Sequence, residues 1–182
     1  MAISKIINNG INNLNITSAG NVIFSGGITF NGDSVNANVL DDYEEGTWTP
    51  IYSGSTTNPT VSYTVQYGEY VKIGRQVIAR FELRTGSVSG GSGIVTVGGL
   101  PFTSNSNNGS RAGSVIIAYS NLFANDNPQA GYQNNNTTSI NLGHNGVTAD
   151  ANSPLAGNLS MLDLDTGSAK NFLMGTLIYT VT

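Results

Sequence analysis

Residues 60–67 read Thr-Val-Ser-Tyr-Thr-Val-Gln-Tyr, and residues 75–84 read Arg-Gln-Val-Ile-Ala-Arg-Phe-Glu-Leu-Arg. In the first stretch Val61, Tyr63, Val65 and Tyr67 alternate with Ser62, Thr64 and Gln66. In the second, Val77, Ala79, Phe81 and Leu83 take one face, while Ile78, Arg80, Glu82 and Arg84 form a charge ladder on the solvent side. A period of two belongs to an extended chain with one buried face and cannot line up on the 3.6-residue turn of a helix. The residue types agree, because β-branched and aromatic side chains fit a pleated, half-buried surface. Gly68 and Gly74 read as breaks, with a short strand at 69–73 between them.

No helical pattern competes elsewhere. Charged residues are only 10 % of 182, Gly numbers 23, and runs of Ala, Leu, Glu and Lys are missing, so the residues that favour helices are scarce. Further strands are expected at 94–97, at 111–119 with Val115, Ile116 and Ile117 buried, and at 138–142, 158–164 and 172–181. The last is apolar on both faces, as a central strand would be. Residues 86–93 and 104–110 read as Gly/Ser and Asn-rich loops, and 120–156 as turn-rich apart from its one strand. About eight strands without helical periodicity predict an all-β fold, an antiparallel β-sandwich of jelly-roll type over residues 39–182.

Residues 1–38 are thinner. Leu14 with Ile16, Val22 with Phe24, and Ile28 with Phe30 are strand-length alternations separated by Asn and Gly turns, and a polar linker follows at 31–38. So little apolar surface cannot meet the entropy cost of folding by itself. The segment therefore packs on the later domain or joins copies of itself as an intertwined, trimeric β piece, and self-association is the favoured reading.

Several function classes drop out. A net charge of −4 gives no electrostatic reason to hold a phosphate backbone, so no nucleic-acid partner is expected. With no cysteine there are no disulfides, thiol chemistry or Cys-based zinc sites. Met1-Ala-Ile-Ser-Lys lacks the features of a signal peptide, and no run of about 18 apolar residues exists to span a membrane. The expected product is made in a bacterial cytoplasm, with no membrane insertion.

Three motifs carry more than composition. They are Leu40-Asp-Asp-Tyr-Glu-Glu-Gly-Thr-Trp-Thr-Pro50, Tyr67-Gly-Glu-Tyr-Val-Lys-Ile-Gly74 and Gly99-Leu-Pro-Phe102, in that order. Together they resemble a module of virion structural and tail-fibre-like proteins of tailed phages. The resemblance covers roughly residues 39–104 and is less specific beyond. It implies a β-sandwich displayed on the virion surface, commonly a homotrimer, placed after an attachment or shaft segment that meets other virion proteins. The chain departs from long fibres in how few residues precede the module, which points to a short fibre, a tip or a capsid decoration knob.

The candidate chemistry is sparse. Asp41, Asp42, Glu44 and Glu45 could be a hydrolase carboxylate pair or calcium ligands, but they are sequence neighbours rather than groups held across a cleft, and read as a solvated junction. Leu40, Tyr43 and Trp48 read as junction or interface residues; a sugar-stacking platform at Tyr43 and Trp48 is the alternative to a core anchor. Asp163 and Asp165 read as a solvent-facing pair on a strand, flanked by buried Leu162 and Leu164, rather than as a cation site. His144, in Gly-His-Asn-Gly, reads as a turn residue. Neither G-x-S-x-G nor a phosphate-binding loop occurs, and the Asn-x-Ser/Thr matches at Asn15, Asn136 and Asn158 are those chance supplies in so Asn-rich a chain. No catalytic residue, metal site or cofactor is expected.

Long polar loops on a rigid scaffold are where recognition sits, so residues 104–110, 121–136 and 144–154, with Tyr119, Phe123, Tyr132 and His144 beside them, are the candidate receptor contacts. The expected function is a non-enzymatic virion structural protein, a short trimeric fibre or tip that contacts host surface glycans. A capsid decoration protein is the alternative, and a polysaccharide-degrading enzyme the outside reading.

Overall fold

The computed structural model describes residues 14–16, 22–24, 27–29, 39–40, 42–106, 109, 111–144 and 157–182. Asp41, the linker at 31–38 and most of the loop after His144 lie outside them. The chain divides into two compact units, Met1–Tyr43 and Glu44–Thr182. In the first, β1 (Leu14–Ile16) and β2 (Val22–Phe24) pair antiparallel with Leu14 opposite Phe24, so the two alternating pairs read from sequence form one hairpin. Leu40, half-buried, makes a two-way backbone bridge with Ile28, both bonds at 2.9 Å.

The second unit is the all-β, antiparallel sandwich of jelly-roll-like form. Its strands are β3 (Tyr43–Thr47), β4 (Ile51–Gly54), β5 (Thr60–Ile73), β6 (Gln76–Ser89), β7 (Val95–Gly98), β8 (Arg111–Asn121), β9 (Ala130–Asn134), β10 (Ser139–His144), β11 (Gly157–Asn158) and β12 (Lys170–Thr180). They hydrogen-bond in the order β3-β5-β6-β12-β8-β9-β10-β7-β4, with β11 on β10. The layers β3-β5-β6-β12-β8 and β9-β10-β7-β4 are thus halves of one sheet that curls back on itself. The ends of that order belong to consecutive strands: β3 and β4 are separated only by Trp48, Thr49 and Pro50, so this short joint switches layers and closes the curl. Closure is cemented by Tyr52 of β4, whose amide donates to the Tyr63 hydroxyl of β5 at 2.7 Å and whose own hydroxyl donates to the Asn171 carbonyl at 2.9 Å.

The core reads out the alternation. Val77, Ala79, Phe81 and Leu83 point inward from β6, meeting Leu173, Leu177 and Tyr179 of β12 and Val97, Ile140 and Leu142 of the other layer. Burial of these side chains, at about 25 cal/mol per Å² of apolar surface, is the main term holding a chain without disulfides together.

Several sequence expectations are corrected. Gly68 does not end a strand: β5 runs through it as a 14-residue strand. A Cβ there would sit 2.7 Å from Nε1 and the carbonyl oxygen of Trp48, so the glycine admits the indole to the sheet. β6 likewise continues through Gly86 to Ser89. Residues 158–164 form only the two-residue β11 and a 3₁₀ turn at Met161–Asp163, and β9 appears where turns were expected. Of Val115, Ile116 and Ile117 only Val115 is fully buried, whereas Ile116 faces outward and is 63 % exposed. Alternation forbids burying three consecutive strand residues on one face.

Candidate functional site

The second unit has two dissimilar ends. Trp48 N donates to the Gly68 carbonyl at 3.0 Å and Tyr70 donates its hydroxyl to Glu44, so β3 enters beside the last residues of β5. At this near end lie the two-residue Gly74-Arg75 turn, with Gly74 at φ +56°, and Val181, whose carbonyl accepts from Arg75 Nε. Ser104 is fixed here too: its hydroxyl donates to the Asn134 carbonyl at 2.8 Å, while Asn105 N donates to the Thr180 carbonyl.

The far end gathers four segments distant in sequence. Thr57 and Ser92 bridge the loops after β4 and β6, and Ala124 N donates to the Asp163 carbonyl at 2.8 Å. Asn125 Nδ2 donates to the Leu162 carbonyl and to Asp163 Oδ1, at 3.0 and 3.2 Å. Three residues other than glycine adopt left-handed backbone there, Leu122 (φ 63°), Ala169 (φ 56°) and Asn171 (φ 50°), and Asn171 N donates to the Leu122 carbonyl. Such conformations cost about 1–3 kcal/mol each and persist only where the surroundings over-determine them. Asn171 shows how: its side chain donates to Thr85 Oγ1 and the Asp165 carbonyl and accepts from Asp165 N, each at 2.8 Å.

Asp163 is buried in this network rather than solvent-facing. It accepts from Ser160 N and Ser160 Oγ at 2.7 and 2.9 Å, closing the 3₁₀ turn, and this turn exposes Leu162 to 81 % while Leu164 is buried. Asp165 accepts from Gly167 N and lies 3.5 Å from Lys170 Nζ. Among the described residues no group of three or more His, Asp or Glu side chains lies together as a metal shell would, and no helix is long and apolar enough to cross a membrane.

The singled-out residues separate. Trp48 is 7 % exposed, its indole edge-on to Phe81 at 6.1 Å and its Nε1 donating to the Arg80 carbonyl at 3.1 Å. Tyr43 is exposed. Phe123 is a core residue, edge-on to Tyr52, rather than a surface contact. Tyr119 is exposed with its ring 4.8 Å from Phe172; Tyr132 is half-buried and donates to Asn158; His144 Nδ1 lies 3.3 Å from Asp126 Oδ2. Of the three loops, 121–129 and the residues flanking 145–156 lie at the far end, while residues 104–106 sit at the near end. Leu122 and Leu162 were missed because an apolar residue in a polar loop reads as an anchor until burial is known.

A shallow groove of about 590 Å³ crosses the outer face between β3 and β6, lined by Glu45, Thr47, Glu69, Val71, Ile78 and Arg80 among others. Glu69 is engaged by Arg80 at 2.8 Å and by the Tyr67 hydroxyl at 2.6 Å, and the latter bond holds the Tyr67 phenol above its usual pKa.

No protein-family model and no curated protein matches the chain. Among solved structures, the crystal structure of the Dettilon tailspike protein is similar in fold, with a TM-score of 0.55 and 17 % identity over 75 % of this chain and 24 % of the tailspike chain. The chain thus spans about a quarter of that protein's length.

Proposed function

We propose that the chain is a non-enzymatic surface protein of a tailed-phage virion, a short trimeric fibre or tip-like module that contacts host surface glycans. The carrying observation is the polarity of the sandwich: the chain enters at one end, and the Asn-rich loop at 121–129, with Leu122, meets the turn that carries Leu162 at the other. A module tethered through its entry end presents the opposite end outward. The tailspike likeness supports the fold this role requires, and of the three motifs that resemble tail-fibre-like proteins two lie wholly within the second unit, while the first runs into it from Leu40. The non-enzymatic reading is supported by how the carboxylates are used. Glu44, Glu69, Asp163 and Asp165 each accept bonds from neighbouring protein groups rather than facing one another across a cleft.

Quantitative mass spectrometry of purified virions tests this. A few to tens of copies per particle are expected for a fibre or tip. Hundreds would move the assignment to capsid decoration, and absence from the particle would overturn both. Release of new reducing ends from host surface polysaccharide by the purified protein would replace the non-enzymatic reading.

A further inference from the structure

The outer face of β5-β6-β12-β8 is the part of the second unit whose chemistry least suits water. Strand pairing aligns it in rows across the four strands. One row is Val71, Ile78, Ile178 and Ser114; the next is Glu69, Arg80, Thr176 and Ile116. A third carries Tyr67, Glu82, Met174 and Tyr119, and beyond it Arg84 stacks over the Phe172 ring at 5.8 Å. Ile78, Ile116, Ile178, Tyr67 and Tyr119 are all exposed. An antiparallel sheet with one face in a core ordinarily presents polar residues on the other. Here the charge ladder of β6 is flanked on both sides by aliphatic and aromatic side chains.

From the outer face of this sheet we infer a subunit interface, occupied by a second copy of this chain's sandwich, with the faces of neighbouring copies turned toward a common axis. Three observations select that occupant. First, the face is electrically self-compatible: its ladder holds two acids, Glu69 and Glu82, and two bases, Arg80 and Arg84, with Arg80 already paired to Glu69. The chain's net −4 therefore resides elsewhere, and copies meeting here do not confront like charge. Second, β-branched aliphatics such as Ile78, Ile116 and Ile178 cannot bond sugar hydroxyls but pack well on another flat apolar surface, so the chemistry favours protein over glycan. Third, four strands about 4.8 Å apart and about eight residues at 3.4 Å each give a face of about 500 Å². That is above half of the roughly 800 Å² per partner of a standard interface. Such a contact is weak alone and closes when a second link raises the local concentration of copies. The inference rests on the proposed self-association and supplies that link in the N-terminal segment.

The cysteine-free chain makes the test clean, since one introduced thiol per chain can only cross-link between chains. In the full chain, Thr176→Cys at the centre of the face is expected to give covalent dimers with a short homobifunctional thiol reagent, and Ser89→Cys on the exposed far end is not. Ile116→Lys, at an already exposed position, is expected to keep the wild-type circular dichroism and melting curve while raising the concentration for half assembly about tenfold or more in sedimentation velocity. Equal cross-linking at both cysteines, or an unchanged assembly in Ile116→Lys, would overturn the inference. So would a wild-type protein with the mass of one chain and no Thr176→Cys cross-link. Virion copy number is measured independently of all these, so the surface-protein reading stands or falls separately.

Discussion

Replacing Trp48 with alanine removes the plug of the joint that closes the curled sheet. A Trp side chain at 7 % exposure buries about 150–250 Å², or about 4–6 kcal/mol at 25 cal/mol per Å². Large-to-small substitutions of Trp in cores cost about 3–5 kcal/mol once partial collapse of the cavity is allowed. Collapse is hindered here, because the residue facing the vacated space is Gly68, which has no side chain to move in. The Nε1 bond to the Arg80 carbonyl is lost as well, worth about 1 kcal/mol. We expect Trp48→Ala to lower Tm by about 10–20 °C in differential scanning calorimetry, using about 3–5 °C per kcal/mol for a domain of this size. Trp48→Phe keeps the packing on Phe81 and loses mainly the hydrogen bond, so a fall of about 5 °C is expected. Glu44→Gln, on an exposed carboxylate, should change Tm far less. If Trp48→Ala costs no more than Trp48→Phe, or Glu44→Gln costs as much as either, the joint is not what closes the sheet.

Two further expectations concern buried polar groups. Asp163→Ala removes a carboxylate that accepts from Ser160 N, Ser160 Oγ and Asn125 Nδ2, so we expect a loss of about 2–4 kcal/mol in urea unfolding; a cost under about 1 kcal/mol would show that the 3₁₀ turn holds without it. Burial raises the phenols of Tyr52, Tyr63 and Tyr179 above their ordinary value. Because the folded state keeps these protons longer than the unfolded chain, their contribution is complete below about pH 10 and falls as pH rises beyond it. The urea midpoint should therefore hold steady from about pH 8 to about pH 10 and drop above, and a flat profile to higher pH would contradict the burial of all three.

The strands that were legible were those whose alternation is local. Val77, Ala79, Phe81 and Leu83 were assigned inward from spacing alone and are core residues. β9 was illegible because Ala-Gly-Tyr-Gln-Asn has little apolar pattern, and its inward position is held by Gln133, whose Nε2 donates to the Thr137 carbonyl. Gly68 is misread because a glycine needed for close approach looks, in one dimension, like a glycine that ends a strand. Among the candidate recognition residues, the burial of Phe123 is not legible in the sequence, and neither is the exposure of Leu122 and Leu162 beside them.

By itself, the sequence determined the class of the fold and the inward face of its longest strands, because a period of two depends only on the geometry of an extended chain. Tertiary structure alone decided which strands are neighbours, and hence that Ile78 lies beside Ile178, and Thr176 between Arg80 and Ile116, on one outer face. It also decided that residues 48–50 join opposite edges of a curled sheet and that the loop at 121–129 meets the turn at Met161–Asp163. Those are pairings between residues far apart in the chain, settled by the free energy of the whole packed arrangement, and no local pattern encodes them.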